Sequence, residues 1–184
     1  MKTNKIDVLK VILITAILLN YGCDTNGSNT QDKISTTYRL TDDGAIMVDI
    51  RDEKTGEHIF EVYNKTMSDT TLAKREIYFA NETLKSRSYY RLCKLDGIYE
   101  QWGPNGNLLI SCNYENGMKE GVFTGYTDDG MIRMQGSFKK DTMDGLWEHY
   151  KNGLLEQSYC MKRGKMHGYD SIWTTTGRIK EAFM

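Results

Sequence analysis

From Gly97 onward, the hydrophobic and polar positions of the chain recur with a period close to 24 residues. Leading glycines stand at Gly97, Gly121, Gly145 and Gly168, separated by 24, 24 and 23 positions. Five residues after each comes an aromatic: Trp102, Tyr126, Tyr150 and Trp173. A second glycine follows (Gly106, Gly130, Gly153, Gly177), and two residues later an aliphatic: Leu108, Ile132, Leu155 and Ile179. One period upstream Ala73 replaces the leading glycine, while Tyr78 and Leu84 keep their columns. Repetition on this scale marks an array in which each unit is one supersecondary motif. The units run from about 73–96 through 97–120, 121–144 and 145–167 to 168–184.

Each unit has the pattern of a β-hairpin. Pro104-Asn105-Gly106, Asp128-Asp129-Gly130, Lys151-Asn152-Gly153 and Thr175-Thr176-Gly177 suit a three-residue loop ending in a left-handed glycine. After the first of these loops Leu108, Ile110, Cys112 and Tyr114 alternate with Leu109, Ser111 and Asn113, the period of a strand with one covered face. The loop length predicts Trp102 opposite Leu108, Glu100 opposite Ile110 and Ile98 opposite Cys112. On that register the ladder Trp102, Tyr126, Tyr150, Trp173 is core. Tyr99, Phe123 and Trp147 then lie on the other face beside Ser111, Gln135 and Ser158, and are the candidate binding residues. The fold class is all-β. Residues 36–72 also read as strands but lack the repeat columns, and are expected to cap the first repeat. The C-terminal strand from Arg178 has no such cover, which leaves room for a weak homodimer through that edge.

The start of the chain has a different pattern. Lys2, Lys5 and Lys10 precede the apolar run Val11–Leu19, too short for a spanning helix, which needs about 20 apolar residues. Gly22 and Cys23 follow directly, and the segment resembles a bacterial lipoprotein signal, in which a small residue precedes the cysteine to be acylated. The resemblance implies a signal peptide over 1–22, lipidation at Cys23, and a location in the bacterial cell envelope. Residues 24–33, DTNGSNTQDK, contain no apolar side chain, so 23–35 forms a flexible lipid-anchored tether.

The repeat columns, with a further glycine at Gly117 and Gly164, resemble the bacterial variant of the MORN repeat (membrane occupation and recognition nexus) across 73–184. That resemblance implies an elongated twisted antiparallel sheet of consecutive hairpins. It also implies a role in protein contact, with antitoxin or immunity proteins and envelope lipoproteins among the bacterial members. A structural, lipid-surface or glycan-binding role in the envelope is the further alternative.

Chemistry adds little to this picture. With 24 Lys+Arg against 25 Asp+Glu the chain has no basic field for nucleic acid. His58, His149 and His167 occupy unrelated columns, and no metal, phosphate-loop or nucleophile motif is present, so neither cofactor nor catalysis is expected. Asp96, Glu120 and Asp144 precede the leading glycines and read as an acidic turn edge. Cys93, Cys112 and Cys160 fall in a turn and on opposite faces, unsuited to pairing. The expected protein is therefore a noncatalytic, lipid-anchored array that binds an unidentified protein partner.

Overall fold

The computed structural model describes residues 34–41, 45–63, 72–173 and 179–183. Cys23 and positions 24–33 of the expected tether, together with the expected turn at Thr175–Gly177, lie outside the described residues, whereas Ile34 and Ser35, expected as the end of the tether, already belong to the first strand. The strands are β1 (Ile34–Leu40), β2 (Ile46–Asp52), β3 (His58–Tyr63), β4 (Leu72–Tyr78), β5 (Leu84–Arg91), β6 (Lys94–Leu95) and β7 (Gly97–Trp102). They continue with β8 (Leu108–Glu115), β9 (Met118–Tyr126), β10 (Ile132–Lys139), β11 (Thr142–Lys151), β12 (Leu154–Lys162), β13 (Lys165–Trp173) and β14 (Ile179–Phe183). All pair in chain order in one open antiparallel sheet, except the short β6, which pairs with β5 alone. The N-terminal strands extend this sheet edge to edge, β3 pairing with β4, rather than lying over one of its faces. Among the described residues no helix is long and apolar enough to cross a membrane.

The hairpin register differs from the predicted one by one residue. Trp102 does face Leu108, but Gln101 then pairs with Ile110, Glu100 with Ser111 and Tyr99 with Cys112. Leu109 is an extra residue, a bulge, and the same break follows Tyr78–Leu84, Tyr126–Ile132, Tyr150–Leu155 and Trp173–Ile179. The bulged positions are thus Lys85, Leu109, Arg133, Glu156 and Lys180, one in each hairpin. A bulge increases local twist, and a slip of one residue moves every later side chain to the other face. Tyr99, Phe123 and Trp147 therefore share their face with Cys112, Gly136 and Tyr159, not with Ser111, Gln135 and Ser158.

A second irregularity accompanies the leading glycines. Between Cys112–Phe123 and Tyr114–Lys119, β9 accommodates two more residues than β8, around Gly121 at φ 80°. A side chain there would be held in the left-handed region, which glycine occupies without the Cβ clash.

The loops at 104–106 and 128–130 form as expected. Gly103 N–H donates to Asn107 O and Gly106 N–H to Gly103 O, both at 2.9 Å, with Thr127, Gly130 and Met131 repeating the arrangement. The third loop is tighter. Lys151 pairs with Leu154, leaving only Asn152 and Gly153, at φ 50° and 76°, as a two-residue turn. This accounts for the 23-residue spacing of the fourth unit.

On the opposite sheet edge, two-residue turns at Leu92-Cys93, Asn116-Gly117, Lys140-Asp141 and Arg163-Gly164 all have positive φ. The acidic column joins these turns to one another. Asp96 Oδ2 accepts the Asn116 N–H at 3.2 Å, Glu120 Oε2 the Lys140 N–H at 2.9 Å and Asp144 Oδ1 the Arg163 N–H at 3.3 Å. Each carboxylate thus caps the turn of the next unit, and the Asn116 bond holds the Asp96 carboxyl below its ordinary range. Leu92-Cys93 lacks the Asn-Gly chemistry that such turns favour. The double change Leu92→Asn, Cys93→Gly is expected to stabilise the protein by about 1 kcal/mol, seen as a higher denaturation midpoint.

Among the described residues the sheet is a single layer, so cover comes from neighbours on the same face. Val48, Tyr63, Cys112 and Trp147 are its buried apolar residues. By register all four lie on the face that carries Tyr99.

Candidate binding surface

The sequence-predicted column falls on the more deeply covered face. Trp147 is only 1% exposed, its indole lying across Gly136, and the rings of Phe123 and Phe138 pack against it at 5.8 and 5.2 Å. Gly136 has no side chain to lift the ring off the sheet. Tyr99 is half-buried and meets the edge of Tyr114 at 6.1 Å. Expected as an exposed anchor, Trp147 instead has no face left for a partner. The reason is the bulge, which puts this column among aromatic and small neighbours rather than polar ones.

The ladder expected as core is the more open one. Tyr78, Trp102, Tyr126, Tyr150 and Trp173 are each half-buried, and their partners Leu84, Leu108 and Leu155 are half-buried too. Ile132 and Ile179 are exposed, at 39% and 62%. Successive rings repeat every second strand, about 10 Å apart. Beside them runs a polar row in which the bulges bring Arg87, Ser111, Gln135 and Ser158 to this face, next to Glu76, Glu100, Thr124 and Glu148. Reading period two without the bulge missed this polar row. The recurrence of Lys85, Leu109, Arg133 and Glu156 at one column was the available signal.

The polar groups on this face are already ordered. Arg87 Nε donates to Glu76 Oε1 at 2.7 Å, its other nitrogen approaches Glu100 at 3.6 Å, and its guanidinium lies 5.4 Å from the Trp102 ring centre. Lys74 also reaches Glu76, at 3.2 Å, and Tyr78 donates its hydroxyl to the same carboxylate. Farther along, Gln135 donates to Glu148 at 2.6 Å and to the Tyr150 hydroxyl at 3.0 Å, while Tyr150 donates to Glu148 at 3.0 Å. Burial raises the Tyr150 phenol, and the Glu148 bond adds to that effect.

Burial opposes ionisation of Glu76, but the hydrogen bonds from Arg87 and Lys74 outweigh it and hold the carboxyl below its usual range. A depressed carboxyl stabilises the fold above its unfolded pKa, and this stability disappears as pH falls through the folded value. Arg87→Ala is therefore expected to cost about 2 kcal/mol at neutral pH. That difference from wild type should close as the solution is acidified through the carboxylate range. Urea unfolding across pH checks both points.

Two of the histidines make structural contacts, and His167 is exposed. His58 is buried and stacked on Tyr78 at 4.5 Å, and His149 Nε2 lies 3.0 Å from the Tyr159 hydroxyl. Among the described residues no group of three or more His, Cys, Asp or Glu could hold a metal ion. Cys112 and Cys160 lie on opposite faces, and Cys93 is in its turn.

Residues 95–116 and 119–140 each match the MORN repeat variant. The two matches span β7–β8 and β9–β10, each covering one complete bulged hairpin. No curated protein matches the chain.

Proposed function

We propose that the chain is a noncatalytic binding array that presents its Trp102 face to a protein partner. One observation carries the reading: half-exposed aromatics recur at a fixed spacing on this face, beside charged and amide groups that are already held in place. Ordered aromatic and arginine side chains reduce the entropy cost of association and dominate binding energy. The repeat geometry favours extended contact over catalysis, because equivalent side chains sit about 10 Å apart instead of converging on one reacting atom. The two MORN-variant matches support the same kind of role.

The array works at a membrane, held through a lipid on Cys23. The support is the order of features at the N-terminus: lysines, a short apolar run, Gly22-Cys23, and then ten polar residues. Intact mass of the mature protein is expected to show an acylated chain starting at Cys23. A chain that retains residues 1–22 would sink the anchor.

Affinity capture from the cell that makes the protein tests the binding role. Wild type is expected to enrich one defined protein, and Trp102→Ala/Tyr126→Ala to lose it while keeping a native circular-dichroism spectrum. Equal enrichment by both would count against this face.

A further inference from the structure

The edge that carries the two-residue turns contains a cleft of about 510 Å³ between the Lys140-Asp141 and Arg163-Gly164 turns. It is lined by Lys139, Lys140, Thr142, Asp144, Lys162 and Arg163. Among the described residues none of these four cations is in a salt bridge. Asp144, the one carboxylate in this lining, accepts the Arg163 backbone N–H, and the neighbouring Glu120 and Asp141 carboxylates accept the Lys140 and Lys119 N–H groups. On the opposite edge acids outnumber cations, with Glu53, Glu57, Glu82, Asp128 and Asp129 at its turns against Lys54 and Lys151.

We infer that this cleft seats an acidic peptide segment of the protein partner. Charge complementarity selects an anion, and the backbone narrows which kind. A site built for a compact phosphate offers free turn amides. Here the Lys140 N–H goes to Glu120, the Arg163 N–H to Asp144, the Asp141 N–H to Lys119 O and the Gly164 N–H to Met143 O. Only long side-chain cations remain, spread over two turns about 10 Å apart. That spacing is the reach of about three residues of extended chain, so it matches carboxylates distributed along a peptide better than one small dianion. The Thr142 hydroxyl is already directed to Lys140 O, which leaves recognition to charge.

The inference rests on the protein-binding reading and fails separately from it. The probe is a fluorescein-labelled peptide of ten glutamates, titrated with the full-length chain at low salt and followed by anisotropy. Lys140→Glu/Arg163→Glu is expected to weaken binding about tenfold, and Lys54→Glu on the opposite edge to change it little. Should the reversed pair misfold, Lys139→Gln/Lys162→Gln gives the same test with a smaller loss. Equal losses in the edge and control variants, or displacement by inorganic phosphate at matched charge, would overturn the cleft as a peptide site. So would preferential binding to phosphatidylglycerol vesicles. Partner capture that survives the charge reversal would overturn the cleft while leaving the Trp102 face intact.

Discussion

Trp147→Ala is expected to lower the unfolding free energy by about 4 kcal/mol. The ring is 1% exposed and packed by Phe123 and Phe138, and in a single layer no second set of side chains can collapse into the space it leaves. Its indole N–H has no hydrogen-bond partner, so packing carries the effect. The loss should appear as a fall of about 10 °C in Tm. Unfolding behaviour close to wild type would mean that the ring is not packed as described.

Gly136→Ala is expected to cost nearly as much, about 3 kcal/mol, from the opposite cause. A Cβ at this position would lie 2.3 Å from Trp147 Cδ2 and 2.5 Å from Cε2. The indole cannot retreat without pushing on the two phenylalanine rings. The clash belongs to the pair, so the effects should not add. In a Trp147→Ala background the same glycine change is expected to cost less than about 1 kcal/mol. Denaturant unfolding of the four proteins measures this coupling, and simple additivity would contradict the contact.

Much of the fold was legible because the units repeat. Glycine columns located the turns, and the aromatic and aliphatic columns paired as read, Trp102 with Leu108 and Tyr126 with Ile132. The faces were not legible from alternation alone. Leu109 and Arg133 look like ordinary strand residues, yet each is the extra residue of a bulge, and alternation counted through them assigns the later side chains to the wrong face. That single slip exchanged the two aromatic columns, making Trp147 an expected anchor and Trp102 expected core. The turn of the fourth unit was misjudged for a related reason. Lys151 resembles a loop residue by composition, but pairs as the last residue of its strand. Capping carboxylates such as Asp96 and Glu120 were visible as a column. Their attachment to the following turn depends on strand order, which periodicity in one chain does not reveal.

Which face meets the partner is the central claim, and site-specific photo-crosslinking addresses it most directly. A benzophenone side chain would be placed at Ile132, on the Trp102 face, or at Tyr159, beside Trp147 on the other. Irradiation in the cells that make the protein is expected to give one adduct of defined mass from position 132 and none from 159. An adduct from 159 alone would contradict the account and return the binding role to the face of Tyr99, Phe123 and Trp147.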